Sequence, residues 1–316
     1  MMSRVQLRAA SMITSVIWLP AALLAGLFQA WRTAVQQRLR AQVSISGAGL
    51  VRYLYGFPVA VVLLTAYVNH YHVSLPTLNE RFLVDASIAG IAQILATLLL
   101  ISAFGQSSFV VGTAFSKTEV VQAALFAWLI LSEHLSALVI AGIVVGVCGV
   151  LLLSLWGQSF QKQGLGILLR NRAARSGLGA GALFALTGVF VKRATLDLDI
   201  SDATFSALMV LVAVMLVQTV SHCAWLVIRD RDTLRQAFTT WRISSQVGLL
   251  AALGSACWFT GFANAPVALV RVVGQVEVVF TLLFAHLYLR EHIRRHEIAG
   301  LLLVVSGVVL ALAGSV

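Results

Sequence analysis

Long apolar runs, each about as long as a lipid bilayer is thick, recur along this sequence and constrain its fold more than any other feature. A helix needs roughly 20 mostly apolar residues to cross the hydrocarbon core of a membrane. The runs are continuous and do not alternate between apolar and polar residues, which favours helices over a membrane β-barrel. The sequence therefore predicts an all-α integral membrane protein with ten transmembrane helices. These lie near residues 13–35, 48–69, 82–104, 107–131, 135–156, 177–196, 203–228, 243–263, 266–289 and 293–315.

The composition excludes the main alternatives to a membrane protein. Of 316 residues, 59% are apolar and 11% are charged, and the mean hydropathy is +0.93, whereas soluble proteins carry about 25% charged residues. The formal net charge of +10 does not indicate a nucleic-acid partner, because the basic residues form short clusters between apolar runs rather than one face. The three cysteines lie inside apolar runs without the spacing of a metal site. We expect a lipid bilayer as partner, and neither nucleic acid nor a metal.

The two halves of the chain resemble each other at an offset of 158 residues. Half of the positions are identical between Glu119–Leu152 and Glu277–Leu310, and a Glu-His pair falls in register. Each half contains five predicted spans, an odd number, so the halves are expected to cross the membrane in opposite directions. Inverted repeats of this kind are typical of secondary transporters, whose substrate site lies near the midplane. We predict a first five-helix repeat over residues 1–157, a basic connecting loop over 158–176 and a second five-helix repeat over 177–316.

Both halves carry the same short motif, in which an apolar run ends in Leu-x-Glu and two glycines seven residues apart follow. The motif resembles the EamA type of the drug/metabolite transporter superfamily. The resemblance implies a multi-pass protein of the bacterial inner (plasma) membrane that imports or exports a small-molecule substrate such as an amino acid, a sugar, a nucleotide-linked metabolite or a drug. It also implies structural roles: the glutamates favour a helix N-terminus, and the glycines permit close helix packing within or between chains. The motif residues are Glu133, Gly142 and Gly149, and their equivalents Glu291, Gly300 and Gly307.

The sequence departs from the family pattern at one point in each half. Where the family often has Ser-Pro, about four helical turns before the motif glutamate, this chain has Glu119-Val120 and Glu277-Val278. Proline interrupts a helix because it lacks the backbone N–H and clashes with the preceding turn. We therefore predict fourth and ninth helices that are less kinked than the family pattern implies, and a more highly charged centre.

Four charged residues lie inside the fourth and ninth predicted spans: Lys117, Glu119, Arg271 and Glu277. A charge within a membrane span costs roughly 2.5–3.5 kcal/mol on insertion scales and by default marks a functional site. One hypothesis is that Glu119 and Glu277 line the substrate path and that one of them binds a proton during transport. The alternative is a structural lock, in which Lys117 and Arg271 pair with Glu277 and Glu119 and hold the two halves together. The two hypotheses are compatible, because an ion pair that breaks on substrate binding would act as a gate.

Three uncharged residues within predicted spans are further candidates for substrate contact: Gln93, Trp258 and Asn264. For Gln93 and Asn264, hydrogen bonds between helices are an equally good explanation. Trp258 would instead pack against lipid or a neighbouring helix if it does not reach a cavity. The sequence leaves these alternatives open.

The function that the sequence favours is secondary transport of a small polar or amphipathic metabolite, coupled to protons or running as an exchange. Two basic and two acidic residues at the centre favour an amino-acid-like zwitterion. The sequence has no P-loop or catalytic motif, so we expect neither an enzyme nor a cofactor. A flippase or scramblase for lipids or lipid-linked metabolites, built on the same bundle, is the alternative. It predicts a polar stripe that opens toward lipid, where a transporter of soluble metabolites has a cavity near the midplane.

The orientation in the membrane stays open, as does the choice between a monomer and a homodimer. The side that carries the N-terminus has five Lys and Arg residues, and the other side has thirteen. By the positive-inside rule this distribution places both termini outside. The family resemblance implies cytoplasmic termini instead.

Overall fold

The chain folds into a bundle of α-helices in the computed structural model, which describes residues 17–39, 42–104, 115–155, 172–289 and 295–315. The described ranges contain no β-strand, in agreement with the predicted all-α class. The helices are α1 (Trp18–Leu39), α2 (Ile45–Leu54), α3 (Gly56–Tyr71), α4 (Glu80–Phe104), α5 (Glu119–Leu131), α6 (Ala137–Leu155), α7 (Arg172–Asp197), α8 (Ala203–Arg229), α9 (Arg231–Thr239), α10 (Trp241–Asn264), α11 (Val267–Gly274), α12 (Glu277–Leu289) and α13 (Arg295–Ala313).

Several of these helices are long and apolar enough to cross a membrane. Within the described ranges, five stretches meet both conditions: α2 together with α3, most of α4, α7, α8 and α10. Three shorter apolar stretches lie in α5, α6 and α13. Helix α7 begins at Arg172, so residues 172–176 are helical and do not belong to the predicted connecting loop.

Helices α6 and α13, the last of each half, pack against each other along their glycines. A Cβ atom on Gly142 would lie 2.6 Å from the carbonyl oxygen of Gly307, and one on Gly149 would lie 2.8 Å from that of Gly300. Such distances are shorter than real Cβ contacts, so this approach of two backbones requires glycine. The four motif glycines therefore pack within one chain. Because Gly142 faces Gly307 and Gly149 faces Gly300, the two helices are antiparallel.

The first helix of each half packs antiparallel against the third helix of the other half. Between α4 and α7, Asn79 donates a hydrogen bond to the carbonyl of Asp197 at 2.5 Å, and the Arg193 Nε atom lies 2.7 Å from Asp85. Between α1 and α10, the carbonyl of Trp18 lies beside Gly261, and Phe28, later in α1, lies beside Gly254, earlier in α10. Both pairs join the first helix of one half to the third helix of the other, and both are antiparallel, as two inverted halves require.

The fourth and ninth spans are both interrupted immediately before their glutamate, so the prediction of less kinked helices is wrong. Helix α5 begins at Glu119 after a turn, and α11 ends at Gly274 before α12 begins at Glu277. A helix N-terminus carries partial positive charge, so the interruption places each carboxylate where the helix dipole stabilises it. An uninterrupted helix would leave the carboxylates in mid-helix without that stabilisation.

Two glycines let the first helix of each half press against the interruption in the other half. A Cβ atom on Gly26 of α1 would lie 3.2 Å from the backbone nitrogen of Glu277, and one on Gly181 of α7 would lie 3.3 Å from that of Glu119. The same Cβ on Gly181 would lie 2.9 Å from the carbonyl oxygen of Ser116. The interruptions are therefore packed against helix backbone, and the packing is equivalent in the two halves.

The polar segment between the seventh and eighth spans forms the short helix α9, which the apolar pattern did not predict. Asp230 caps its N-terminus by accepting a hydrogen bond from the backbone N–H of Thr233 at 3.0 Å and another from the Thr233 hydroxyl at 2.7 Å. These bonds favour the ionised carboxylate and lower the pKa of Asp230. The hydroxyl groups of Thr233 and Ser44 are 2.9 Å apart, which ties α9 to the N-terminus of α2.

Candidate functional site

A cavity of about 160 Å³ lies between the two halves of the bundle, next to the interrupted helices. Its wall is formed by helices from both halves, and six charged side chains contribute to it. The lining residues are Gln29, Arg32, Thr33, Gln36, Arg52, Gln93, Thr97, Leu100, Ile101, Ser116, Lys117, Glu119, Phe184, Thr187, Ser255, Trp258, Phe259, Phe262, Arg271 and Glu277.

Two ion pairs connect the halves across this cavity. The Lys117 Nζ atom lies 2.7 Å from the Glu277 Oε2 atom, and the Arg271 Nη1 atom lies 3.4 Å from the Glu119 Oε1 atom. The side chains are 8–18% exposed, so water screens these pairs much less than it screens pairs at a protein surface. These are the pairings that the lock hypothesis requires. Each base pairs with the carboxylate of the other half rather than with the carboxylate of its own half.

The environment of the two pairs is not symmetric. Glu277 accepts a second hydrogen bond, from the Gln29 amide at 2.7 Å. Arg271 donates to the carbonyl of Phe184 at 2.9 Å and lies 4.8 Å from the centre of the Trp258 ring. A guanidinium over an aromatic face gains a cation–π contribution. Arg271 is thus fixed by three kinds of contact, whereas Lys117 is fixed mainly by Glu277.

Of the three uncharged candidates, the structure places two at the cavity and one elsewhere. Trp258 lines the cavity and donates its indole N–H to Gln29 at 3.1 Å. Gln93 also lines the cavity, and it accepts a hydrogen bond from Gln218 of α8 at 2.7 Å, so it serves helix packing at the same time. Asn264 does not line the cavity, because it lies at the C-terminal end of α10 and bonds to the carbonyl of Thr260 in its own helix.

A polar stripe on α1, which was not among the predicted site residues, forms one wall of the cavity. Its members are spaced at intervals of three and four residues, which places them on one face of a helix. The amphipathic spacing in the first predicted span was the signal that could have found them. The stripe consists of Gln29, Arg32, Thr33 and Gln36, and all four line the cavity.

Arg52, which resembles a recurrent arginine of the EamA type near the start of the second predicted span, is a further cavity residue that the charge pattern did not single out. Arg52 lies on α2, is 8% exposed and donates to the Thr97 hydroxyl of α4 at 2.7 Å. With Arg32 and Arg52, the lining contains four basic and two acidic side chains. The charge balance of two to two, from which the zwitterion preference followed, is therefore wrong for the cavity as a whole.

The motif glutamate of the first half lies outside the cavity and connects the halves at one end of the bundle. Glu133 accepts a hydrogen bond from the backbone N–H of Val267 at 3.0 Å and lies 2.9 Å from the Lys192 Nζ atom. It therefore supports a helix N-terminus, as expected, but that of α11 in the other half rather than that of the next helix. Its equivalent Glu291 lies outside the described residues.

Comparisons with known proteins bear on the fold and the family. The model of the EamA-like transporter family matches residues 16–155 and 172–313, one match in each half. A solved structure, described only as the crystal structure of a protein, superposes with a TM-score of 0.70 over 95% of this chain and 98% of the other. The two are 15% identical, so the likeness shows a shared fold alone. No curated protein is significantly similar to the chain.

Proposed function

The chain belongs to the EamA-like transporter family, and we propose that it is a secondary transporter that moves a small polar metabolite by alternating access. In this proposal the chain crosses the membrane ten times, as two inverted repeats of five spans. The interrupted ninth span (α11 and α12) then counts as one crossing, and the fourth span includes α5. The two halves move against each other and open the cavity to one side of the membrane at a time.

The cross-repeat ion pairs are the observation that carries this proposal. Lys117 and Arg271 bind carboxylates of the opposite half at the cavity wall. Any motion that separates the halves at the cavity must break or exchange these pairs. A buried pair that loses one partner leaves an uncompensated charge, so the open state needs a replacement partner. A substrate with charged groups supplies that replacement, and a proton can neutralise a carboxylate that has lost its base.

Glu277 is the residue that we assign to proton coupling. Its Oε2 atom accepts both from Lys117 and from Gln29, each at 2.7 Å. Protonation of Glu277 removes the charge that holds Lys117 and leaves a neutral group that still bonds to Gln29. The proton would thus open one of the two ion pairs between the halves without leaving an unpaired carboxylate, and Lys117 would then need an anionic partner such as a group of the substrate.

Transport of a soluble metabolite accounts for the cavity better than lipid transport does. The charged residues of the lining come from both halves and converge on one cavity. A flippase requires instead a polar stripe that opens to lipid along the bundle surface. Exposed large apolar residues on α4, α6 and α8, such as Leu95, Val144 and Val220, fit a lipid-facing surface.

The experiment that tests the proposal is transport into proteoliposomes. The purified chain is reconstituted, and uptake of labelled amino acids, organic anions, organic cations and sugars is measured with and without a pH gradient. Glu277→Gln and Glu119→Gln are measured beside the wild type, and Glu80→Gln, an exposed residue outside the cavity, is the matched control. We expect one substrate class to accumulate when a pH gradient is applied, and Glu277→Gln to abolish that accumulation while Glu80→Gln leaves it intact.

Two results would contradict this assignment. If no soluble solute moves but labelled lipid equilibrates between the leaflets, the protein is a flippase and the proposed function is wrong. If transport and its pH dependence survive both substitutions, the central glutamates form a structural lock only.

A further inference from the structure

The four basic residues of the cavity fall into two classes that differ in their partners. Lys117 and Arg271 each face a carboxylate. Among the described residues, no carboxylate lies within ion-pair distance of Arg32 or Arg52. The cavity therefore has two ion pairs and two guanidinium groups that form no ion pair within the described residues. The charge of Glu277 acts on Arg32 from beyond ion-pair distance.

The buried guanidinium of Arg52 has few hydrogen-bond partners for its N–H groups. It is 8% exposed and lines the cavity, and its described side-chain hydrogen bond is the one to Thr97 at 2.7 Å. A guanidinium has five N–H donors in a planar fork, so one neutral hydroxyl leaves most of them unused. The Nε atom of Arg52 is buried and has no hydrogen-bond partner among the described residues. Buried polar groups are nearly always hydrogen-bonded in native proteins, so these donors indicate a missing ligand.

Arg32 adds a second positive charge beside the first. It lies on the polar stripe of α1, lines the same cavity, and its Nε atom is likewise buried without a partner in the described part of the chain. Arg32 and Arg52 line the same cavity of about 160 Å³, so two positive charges share one small space. Like charges held together in a membrane interior are unfavourable unless an anion bridges them, and planar guanidinium groups match oxyanions through paired hydrogen bonds.

We propose that Arg32 and Arg52 form an anion-binding subsite that holds a carboxylate or phosphate group of the transported substrate. The substrate class is therefore a small organic anion rather than an overall neutral zwitterion. The Gln93 amide, which Gln218 orients by a hydrogen bond at 2.7 Å, lies in the same wall and gives the rest of the substrate a polar neighbour. This inference rests on the proposed transport function, since it assigns the ligand of the same cavity.

Binding to the 316-residue chain in lipid nanodiscs tests the subsite, with calorimetry as the measurement. The probes are succinate for a carboxylate, glycerol 3-phosphate and inorganic phosphate for a phosphate, glycerol as the neutral counterpart, and choline as a cation. We expect at least one anion to bind, and glycerol and choline not to bind. Which anion binds distinguishes a carboxylate site from a phosphate site.

Substitutions of the two arginines test whether the anion binds at this subsite. Arg32→Gln and Arg52→Gln are each expected to weaken binding of the anion by roughly tenfold to hundredfold, the range for a lost hydrogen bond to a charged group. Arg52→Lys keeps the charge but not the planar fork, so we expect a smaller loss. Arg235→Gln, on the exposed face of α9, is the matched control and should bind as the wild type does. If Arg52→Gln does not fold, Arg32→Gln and Arg52→Lys carry the test.

The outcomes separate this inference from the proposed function. If none of the anions binds the wild type, or if anions bind equally well to folded Arg32→Gln and Arg52→Lys, the subsite is wrong. Uptake of a cation or an uncharged solute by proteoliposomes, without anion binding, would overturn the subsite and leave the transport function standing. Anion binding that depends on both arginines, with no transport of any solute, would uphold the subsite and overturn the transport function.

Discussion

Replacement of Lys117 by methionine is the perturbation that most directly tests the ion pair between the halves. The change keeps the length and apolar stem of the side chain and removes its charge. Glu277 then loses the Nζ atom that lies 2.7 Å from its Oε2 atom and keeps the hydrogen bond from Gln29 at 2.7 Å. Its side chain is 12% exposed, so water replaces the lost partner only in part.

The expected magnitude follows from this geometry. Removing one partner of a buried pair costs about 3–5 kcal/mol, and the remaining bond from Gln29 together with the partial exposure of Lys117 places Lys117→Met at the lower end, about 3 kcal/mol. Glu277→Gln also destabilises, because Lys117 then loses its nearest carboxylate. In the double variant neither charge is left unpaired. We expect it to be more stable than the sum of the single effects predicts, by about 2 kcal/mol, within the range of coupling energies for residues in contact.

The assay is reversible unfolding of the purified chain in mixed micelles with increasing denaturing detergent, followed by tryptophan fluorescence. Wild type, both single variants and the double variant complete a double-mutant cycle. Arg235→Gln and Glu80→Gln, two exposed residues, form the control cycle, and their effects should add to within about 0.5 kcal/mol. If the Lys117 and Glu277 effects also add to within about 0.5 kcal/mol, the two side chains do not stabilise the contact between the halves and the reasoning is refuted.

Three other variants test separate parts of the structure by the same unfolding assay. Gly307→Ala should destabilise the chain by about 1–3 kcal/mol, the usual cost of overpacking, because its Cβ would lie 2.7 Å from the Gly142 carbonyl oxygen. Gly254→Ala, whose Cβ would meet Phe28 at 3.4 Å, is its control, and equal effects would argue against the glycine packing of α6 and α13. Glu133→Gln should cost about 1–2 kcal/mol, because it keeps an acceptor for Val267 but loses the charge that faces Lys192 and the dipole of α11. No loss of stability would show that Glu133 does not support that helix. The depressed pKa of Asp230 predicts that its capping of α9 stabilises the fold above the unfolded-state pKa of about 3.8 and loses this effect as the pH falls through the lower folded-state value. Thr233→Val should therefore be less stable than wild type at pH 7, with a difference that shrinks toward pH 3, and a constant difference would contradict the assignment.

Much of the fold could be predicted, because apolar runs and the internal repeat are visible in the sequence without knowledge of contacts between helices. The apolar runs located most helices, and the offset between Glu119 and Glu277 revealed the repeat. The odd number of predicted spans in each half then predicted the inversion, and the antiparallel glycine packing of α6 and α13 agrees with it. Charges inside apolar runs were equally visible, so four of the charged residues in the cavity wall were identified from the sequence alone.

The site was only partly predictable, because its contacts join different helices. The geometry of one helix does not give the distances between residues on separate helices. Helical geometry places Lys117 away from Glu119, and the sequence offered its pairing with Glu277, 160 residues later, only as one of two hypotheses, between which the contact itself had to be seen. Arg32 and Arg52 lie nearer the ends of their predicted spans, where a charge is ordinarily solvated, and only their packing brings them into one cavity.

The sequence by itself therefore determined a helical membrane protein made of two related halves, with charged residues at equivalent points. Burial of apolar residues in lipid and the need to satisfy backbone groups within helices dictate that much. The tertiary structure alone decided where the spans are interrupted, which base faces which carboxylate, and which charges lack a partner. Those features depend on close approaches between helices of opposite halves, such as Gly26 against Glu277 and Gly181 against Glu119, and pairwise contacts of this kind leave no periodic signal in the chain.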